Sequence, residues 1–383
     1  MTDPLAEDNR SHPGEEEVDP GEAVRKAGWR PSGMHILLSI GSLLLAAFLI
    51  VVIVPKAAGA GWHEAFTVVG NLEPKTIFQM TLLWAVGLFL YTFVYTGSLP
   101  GLTHSQGLAL NLTGSLVSNL LPFGGAAGVA TTYGLTFSWG FSGVKTSLLI
   151  LVSGLANLLI RLVLPLVGLI ALVAGGTRLG GIGGGVAAGT MLVLAIVSGC
   201  LIAMLTSARV AGWVGAVGDI VLGWFTKLIR KGRPRISLKS AALRMQEEAV
   251  GVIRNGWLPI SFGMTAYYAC EIGLFGLGLH ALGAPLAWSD IIAAFALSRV
   301  LSAVVVTPSG VGISEAGVAS LLVLFGTPPA IAAAGVLILA CYTFLIEVPT
   351  GVLGWIWVIA MRKKWAKRGP VKPWYRRSLP SGR

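Results

Sequence analysis

The stretch Val306-Thr307-Pro308-Ser309-Gly310-Val311-Gly312-Ile313-Ser314-Glu315-Ala316-Gly317 interrupts an otherwise apolar region late in the chain. An earlier apolar region breaks in the same way, at Ser118-Asn119-Leu120-Leu121-Pro122-Phe123-Gly124-Gly125-Ala126-Ala127-Gly128. Proline removes a backbone donor and glycine relaxes a helix, so each unwound stretch must be buried in protein or line a wet cavity. Each break is followed by a charge inside an apolar run. Arg161 comes 39 residues after Pro122 (161 − 122), and Glu347 comes 39 residues after Pro308 (347 − 308). Broken apolar segments at corresponding places in two halves of a chain point to a transport site.

Composition supports a membrane setting. The 383 residues are 54% hydrophobic and only 12% charged, against about 25% charged in soluble chains. Apolar runs near 34–54, 78–97, 146–173, 183–205, 257–282 and 330–360 are each long enough to cross a bilayer, which takes about 20 residues. The run 146–173 is long enough to tilt, or to bend at Pro165. Segments 107–121 and 124–138 are shorter, as are 291–306 and 313–326. A helix of about 15 residues reaches about 22 Å, short of a roughly 30 Å hydrocarbon core. Each short pair therefore reads as a re-entrant hairpin with its tip at a Pro-Gly break.

Charge placement sets the orientation. Arg25, Lys26 and Arg30 precede the first span and put the N-terminus inside. With both hairpins re-entrant, the loop 206–256, which carries nine Lys/Arg between Arg209 and Arg254, is also inside. So is the basic tail after Met361, leaving Lys56, Lys75 and Arg178 in outside loops. If both pairs crossed fully, the 206–256 loop would lie outside, against the positive-inside rule. The net charge of +11 is thus an orientation signal, with no recognition module that points to nucleic acid.

The expected fold is an all-α polytopic membrane protein of about six transmembrane helices plus two re-entrant helical hairpins, arranged as an inverted repeat. Residues 1–33 form a disordered acidic cytoplasmic tail. The membrane domain covers 34–361, in halves 34–174 and 183–360. The 206–256 loop is cytoplasmic and amphipathic: its segment 208–230 presents Trp213, Val217, Ile220, Val221, Trp224 and Leu228 on one face, suited to lie on the inner leaflet. A second, basic helix is expected near 237–254. Residues 362–383 form a basic cytoplasmic tail. Both termini face the cytoplasm, and the host membrane is the cell membrane.

Charges in apolar runs are costly, about 2.5–3.5 kcal/mol each at the bilayer centre, and usually face the protein interior. Arg161, Glu271, Arg299 and Glu347 are such residues. They fit either a site for a charged lipid head group or proton, or structural ion pairs, with Arg161 reaching Glu347 or Glu271. Arg299 also fits a snorkelling role. Glu315 sits where the second hairpin restarts, favoured there by the helix dipole and also placed to meet substrate. Pro122, Gly124, Gly125, Pro308, Ser309, Gly310 and Gly312 shape the tips, and Asn119 adds a hydrogen-bonding group. The scattered histidines and Cys200, Cys270 and Cys341 have no metal-ligand spacing. The glycine run at 180–185 lacks a phosphate-loop ending. No catalytic set, metal site or cofactor is expected, and the chain is not expected to be an enzyme.

Leu121-Pro122-Phe123-Gly124-Gly125 and Thr307-Pro308-Ser309-Gly310-Val311-Gly312-Ile313-Ser314-Glu315 resemble the signature stretches of the flippase-like transmembrane domain of bacterial lysylphosphatidylglycerol synthases. The resemblance covers about 34–361. It implies movement of an aminoacylated phospholipid between leaflets, with Pro308, Gly310, Gly312, Glu315, Pro122, Gly124 and Gly125 at the matching positions. The pattern departs at Ser309, where a glycine is common, and at Ser314, where an aromatic or apolar residue is common. The soluble aminoacyl-transfer domain of full-length synthases has no counterpart after Met361, so the resemblance does not imply lysyl-lipid synthesis or fix that lipid as cargo.

The expected function is lipid translocation, of a phospholipid or a polyprenyl-phosphate carrier, through a cavity between the hairpins. The alternative is a non-transporting subunit that scaffolds an envelope glycosyltransferase or lipid synthase. A homodimer, or a partner enzyme of envelope synthesis, fits either reading.

Overall fold

The computed structural model describes residues 61–120, 124–175, 238–301 and 313–368, with a few single positions elsewhere. Most of these residues are helical, and no strand occurs among them. The expected spans 34–54 and 183–205, the segment 208–230, the tips at 121–123 and 302–312, and the outer parts of both tails lie outside the described residues. In chain order the helices are α1 (Trp62–Gly70), α2 (Pro74–Ser98), α3 (His104–Leu120), α4 (Gly124–Ser138) and α5 (Gly143–Ala174). They continue with α6 (Leu238–Ala281), α7 (Trp288–Leu301), α8 (Ile313–Leu324), α9 (Pro329–Ala340), a π turn (Cys341–Leu345) and α10 (Glu347–Arg368).

Among the described residues three helical segments are long and apolar enough to cross a membrane: Pro74–Ser98, Gly143–Ala174 and Pro329–Arg368. Their outer faces carry large apolar side chains. On α2, Phe78, Leu82, Val86 and Phe89 recur at helical spacing and are exposed, as are Val352, Leu353, Ile356 and Ile359 on α10. Such continuous apolar faces suit contact with lipid chains, since a water-soluble surface rarely carries them.

The short segments pack as hairpins. Ser118 lies opposite Gly124 and Gly114 opposite Gly128, so α3 and α4 run antiparallel. The Ser118 hydroxyl donates to the Gly124 carbonyl at 3.1 Å, and a Cβ on Gly124 would fall on the Ser118 backbone. In the second half α7 and α8 pack on each other. The outgoing arm of each hairpin stops alike. Gly140 (φ +85°) and Gly326 (φ +91°) follow α4 and α8 in the left-handed conformation. Phe141 N bonds Thr136 O at 3.1 Å, and Thr327 N bonds Leu322 O at 3.0 Å. Both are six-residue closures that require a residue tolerant of positive φ.

The two halves interlock through small residues. The first hairpin's α3 packs on α10, where Gly351 and Gly354 admit Leu112 and Leu116. The second hairpin's α7 packs on α5, where a Cβ on Gly168 would stand 3.0 Å from Ala296 Cβ. Each hairpin thus leans on the last long segment of the other half. The central seam is α2 against α6, antiparallel, with Gly97 facing Gly256 and Gly263 facing the backbone of Leu90 and Val94. Small residues allow this close approach inside a membrane.

Two boundaries differ from the sequence reading. The expected helix 237–254 and span 257–282 are one 44-residue helix, α6, which runs through Pro259. Gly97 leaves the room: a Cβ there would lie 3.1 Å from Pro259 Cγ. At 1.5 Å per residue α6 is about 66 Å long, more than twice a hydrocarbon core. The expected span 330–360 contains the π turn and extends to Arg368, so the first residues of the expected basic tail are helical. Trp365 fixes that extension. It is buried, with its ring 5.3 Å from Trp139 and 5.4 Å from Trp357.

Candidate functional site

A cavity of about 460 Å³ is lined by both hairpins and by the long helices around them. Its volume lies in the usual range for small-molecule sites, roughly 300–1,000 Å³. Its walls are more polar than the surrounding helices. Asn111, Ser115 and Asn119 come from α3, Thr132 from α4, and Ser153, Asn157 and Arg161 from α5. The second half contributes Tyr267 and Tyr268 from α6, Ser298 and Arg299 from α7, Ser314 and Glu315 from α8, Thr343 from the π turn and Glu347 from α10.

Neutral side chains hydrogen-bond several of the charged groups. Asn119 Nδ2 donates to Glu347 Oε2 at 2.9 Å, joining the end of the first hairpin's α3 to the other half. Ser115 also hydrogen-bonds Glu347. One turn before Arg161, Asn157 Oδ1 accepts from Arg161 Nε at 2.9 Å and from the Tyr268 hydroxyl at 3.4 Å. Glu315, buried in the first turn of α8, accepts from Ser314 Oγ at 2.8 Å. Arg299 donates from Nε to Ser298 Oγ at 3.1 Å, and its guanidinium stands 4.6 Å from the centre of the Phe295 ring.

The structure thus brings Arg161, Arg299, Glu315, Glu347, Asn119 and Gly125 to one cavity. Glu271 is buried beside it, and Arg299 is near enough to attract both Glu271 and Glu347. Sequence reasoning offers a pair of Arg161 with Glu347 or Glu271 as one reading; Arg299 is a cation that acts on both carboxylates. Gly124 packs against Ser118 at the base of α4. Pro122, Pro308, Ser309, Gly310 and Gly312 lie outside the described residues.

Sequence reasoning missed the tyrosines. Tyr95, Tyr91, Tyr267 and Tyr268 form a ladder of edge-to-face rings with successive centroids 5.1, 5.1 and 5.2 Å apart. All four line the cavity. Two signals were available: Tyr91 and Tyr95 are four residues apart on one helix face, and Asn157 stands four before Arg161.

Residues 37–351 match the family model of the lysylphosphatidylglycerol synthase TM region. The chain belongs to that family. Neither a curated protein nor a solved structure matches it. Membership and the apolar helices together make this lysylphosphatidylglycerol synthase TM-region protein a multi-pass membrane protein with a lipid-related role. Within the matched region lie both hairpins, the cavity and the residues Arg161, Arg299, Glu315 and Glu347.

Proposed function

We propose that this protein moves a polar or anionic lipid between leaflets, its head group passing through the cavity while its tails stay in the bilayer. The observation that carries this reading is the cavity itself: one polar space, walled by both hairpins, set among helices whose outer faces are apolar. A subunit that only scaffolds another enzyme has no need of it. Arg161 and Arg299 offer guanidinium groups suited to a phosphate, and Glu315 and Glu347 offer acceptors for a cation or proton.

The movement follows from an inverted repeat. Its support is the exchange of partners, α3 on α10 and α7 on α5, about the antiparallel seam of α2 and α6. Arg161 stands 18 residues beyond Gly143 (161 − 143), and Glu347 stands 18 beyond Pro329 (347 − 329), in the corresponding long segments. In such a repeat the first hairpin enters from the cytoplasm and the second from outside, and rocking one against the other exposes the cavity to each face in turn. Both termini then lie in the cytoplasm, and the host is the cell membrane. No bond is made or broken, so no catalytic step is assigned.

The test is leaflet exchange in reconstituted vesicles. With a fluorescent lipid, quenching from outside should proceed beyond the outer leaflet in vesicles containing the protein. It should return to the protein-free rate with Arg161→Gln. A wild-type rate equal to that of empty vesicles, for anionic and zwitterionic lipids and under imposed proton gradients, contradicts the proposal.

A further inference from the structure

Three carboxylates stand at or beside the cavity, and they differ in what holds them. Glu347 accepts hydrogen bonds from Asn119 Nδ2 and from Ser115. Glu315 accepts one from Ser314 Oγ. Glu271 on α6 is 8% exposed and accepts none among the described residues. Arg299 of α7 is the cation that acts on it. We infer that Glu271 takes up a proton when a lipid phosphate binds Arg299, so that one proton and one anionic head group cross together; this rests on the reading that a lipid head group enters the cavity.

An ionised carboxylate buried without hydrogen-bond donors is costly unless a cation faces it. Arg299 supplies that cation for Glu271 and also lines the cavity, where its planar guanidinium group matches phosphate oxygens. A phosphodiester bound there brings a negative charge that offsets the field of Arg299 at Glu271. One Oε of Glu271 then takes a proton from the aqueous side to which the cavity is open. Release of the lipid on the other side restores the field, and the proton leaves with it. By linkage, lipid and proton each favour the binding of the other equally. Arg299 acts on Glu347 as well, but its two donors favour the ionised form, which marks Glu271 as the proton carrier. Tyr267, one turn earlier on α6, lines the cavity within electrostatic reach of Glu271, Glu347 and Arg299, so a hydroxyl stands among all three. Tyr268 and Cys270 are the other titratable groups on this part of α6. Of the helices packed on α6, α2 brings Tyr91 and Tyr95 to the cavity and α5 brings Arg161, whereas α9 has no titratable side chain.

The experiment is calorimetric titration of the full chain in detergent with short-chain phosphatidylglycerol, in buffers of different ionisation heat, across about pH 5 to 9. Wild type should take up about one proton per lipid over part of that range, its affinity rising up to about tenfold per unit fall in pH. Glu271→Gln, which mimics the protonated acid, should take up none and hold the affinity at the low-pH value of wild type. Glycerophosphoglycerol, the same head group without tails, should bind more weakly; equal affinity would assign the site to a soluble phosphate and overturn the lipid source. In vesicles with a pH difference, labelled phosphatidylglycerol should gather in the leaflet facing the more alkaline side, beyond the level of protein-free vesicles. Glu271→Gln should abolish that asymmetry. Absence of proton uptake by wild type at every pH overturns the inference, whether or not the variant folds, and leaves the translocation reading standing where leaflet exchange persists. Uptake that survives in folded Glu271→Gln also overturns it. A lipid that neither binds nor moves overturns both readings.

Discussion

At the scale of single residues, two amides hold charged groups of the site. Asn119 holds Glu347 across the halves at 2.9 Å, and Asn157 holds Arg161 at the same distance. A hydrogen bond to a charged group is worth about 1.5–3 kcal/mol, and losing it also frees the charge to reorient. Asn157→Leu should therefore lower lipid movement about tenfold or more while the helical circular dichroism stays intact. Glu347→Gln keeps a partner for Asn119 but removes the charge. It should lower the transport rate at least tenfold with little change in melting temperature. The Asn119–Glu347 pairing was invisible in the sequence, because the two are 228 residues apart, whereas Asn157 stands one helical turn before Arg161. The charges themselves were legible, since an arginine or glutamate in an apolar run is rare enough to mark its own position. The tyrosines were not, because tyrosine in a membrane segment also reads as an interfacial anchor.

At the scale of elements, glycine and tryptophan decide the packing. A Cβ on Gly256 would strike the Gly97 carbonyl oxygen, and backbone cannot yield as a flexible side chain can. Gly256→Val should cost about 1–3 kcal/mol, the usual range for overpacking, seen as a lower midpoint in thermal unfolding. Trp365→Ala should cost about 3–5 kcal/mol, since the ring is wedged between Trp139 and Trp357. Hydrogen exchange should then show the last turns of α10 opening first. The short helices α3 and α4, and α7 and α8, were legible as packed pairs from the Pro-Gly breaks and the shortness of their arms. The continuity of α6 was not, because the change from a basic segment ending at Arg254 to an apolar run beginning at Trp257 looks like a boundary; the space opposite Gly97 shows why Pro259 is accommodated within the helix. The π turn before Glu347 has no sequence signature. It places Thr343 and Phe344 on the cavity wall and is a helix irregularity often found at functional sites.

At the scale of the whole molecule, the two halves share one cavity because each hairpin leans on the other's long segment. If the halves are related by inversion, their tips face opposite sides of the membrane. In a background with Cys200, Cys270 and Cys341 replaced, a cysteine at Gly125 should react with an impermeant thiol reagent only from the cytoplasmic side. One at Ser309 should react only from outside. Reaction of both from one side contradicts the inversion. Blocking the cavity is the more direct test of the central claim. The cysteine-free background carries Ser153→Cys on the cavity wall or Leu353→Cys on the exposed face of α10. Each is reconstituted, treated with a bulky maleimide, and measured for leaflet exchange of a fluorescent lipid. Modification at position 153 should stop exchange and modification at 353 should leave it intact; exchange that persists with position 153 fully modified would contradict passage through this cavity.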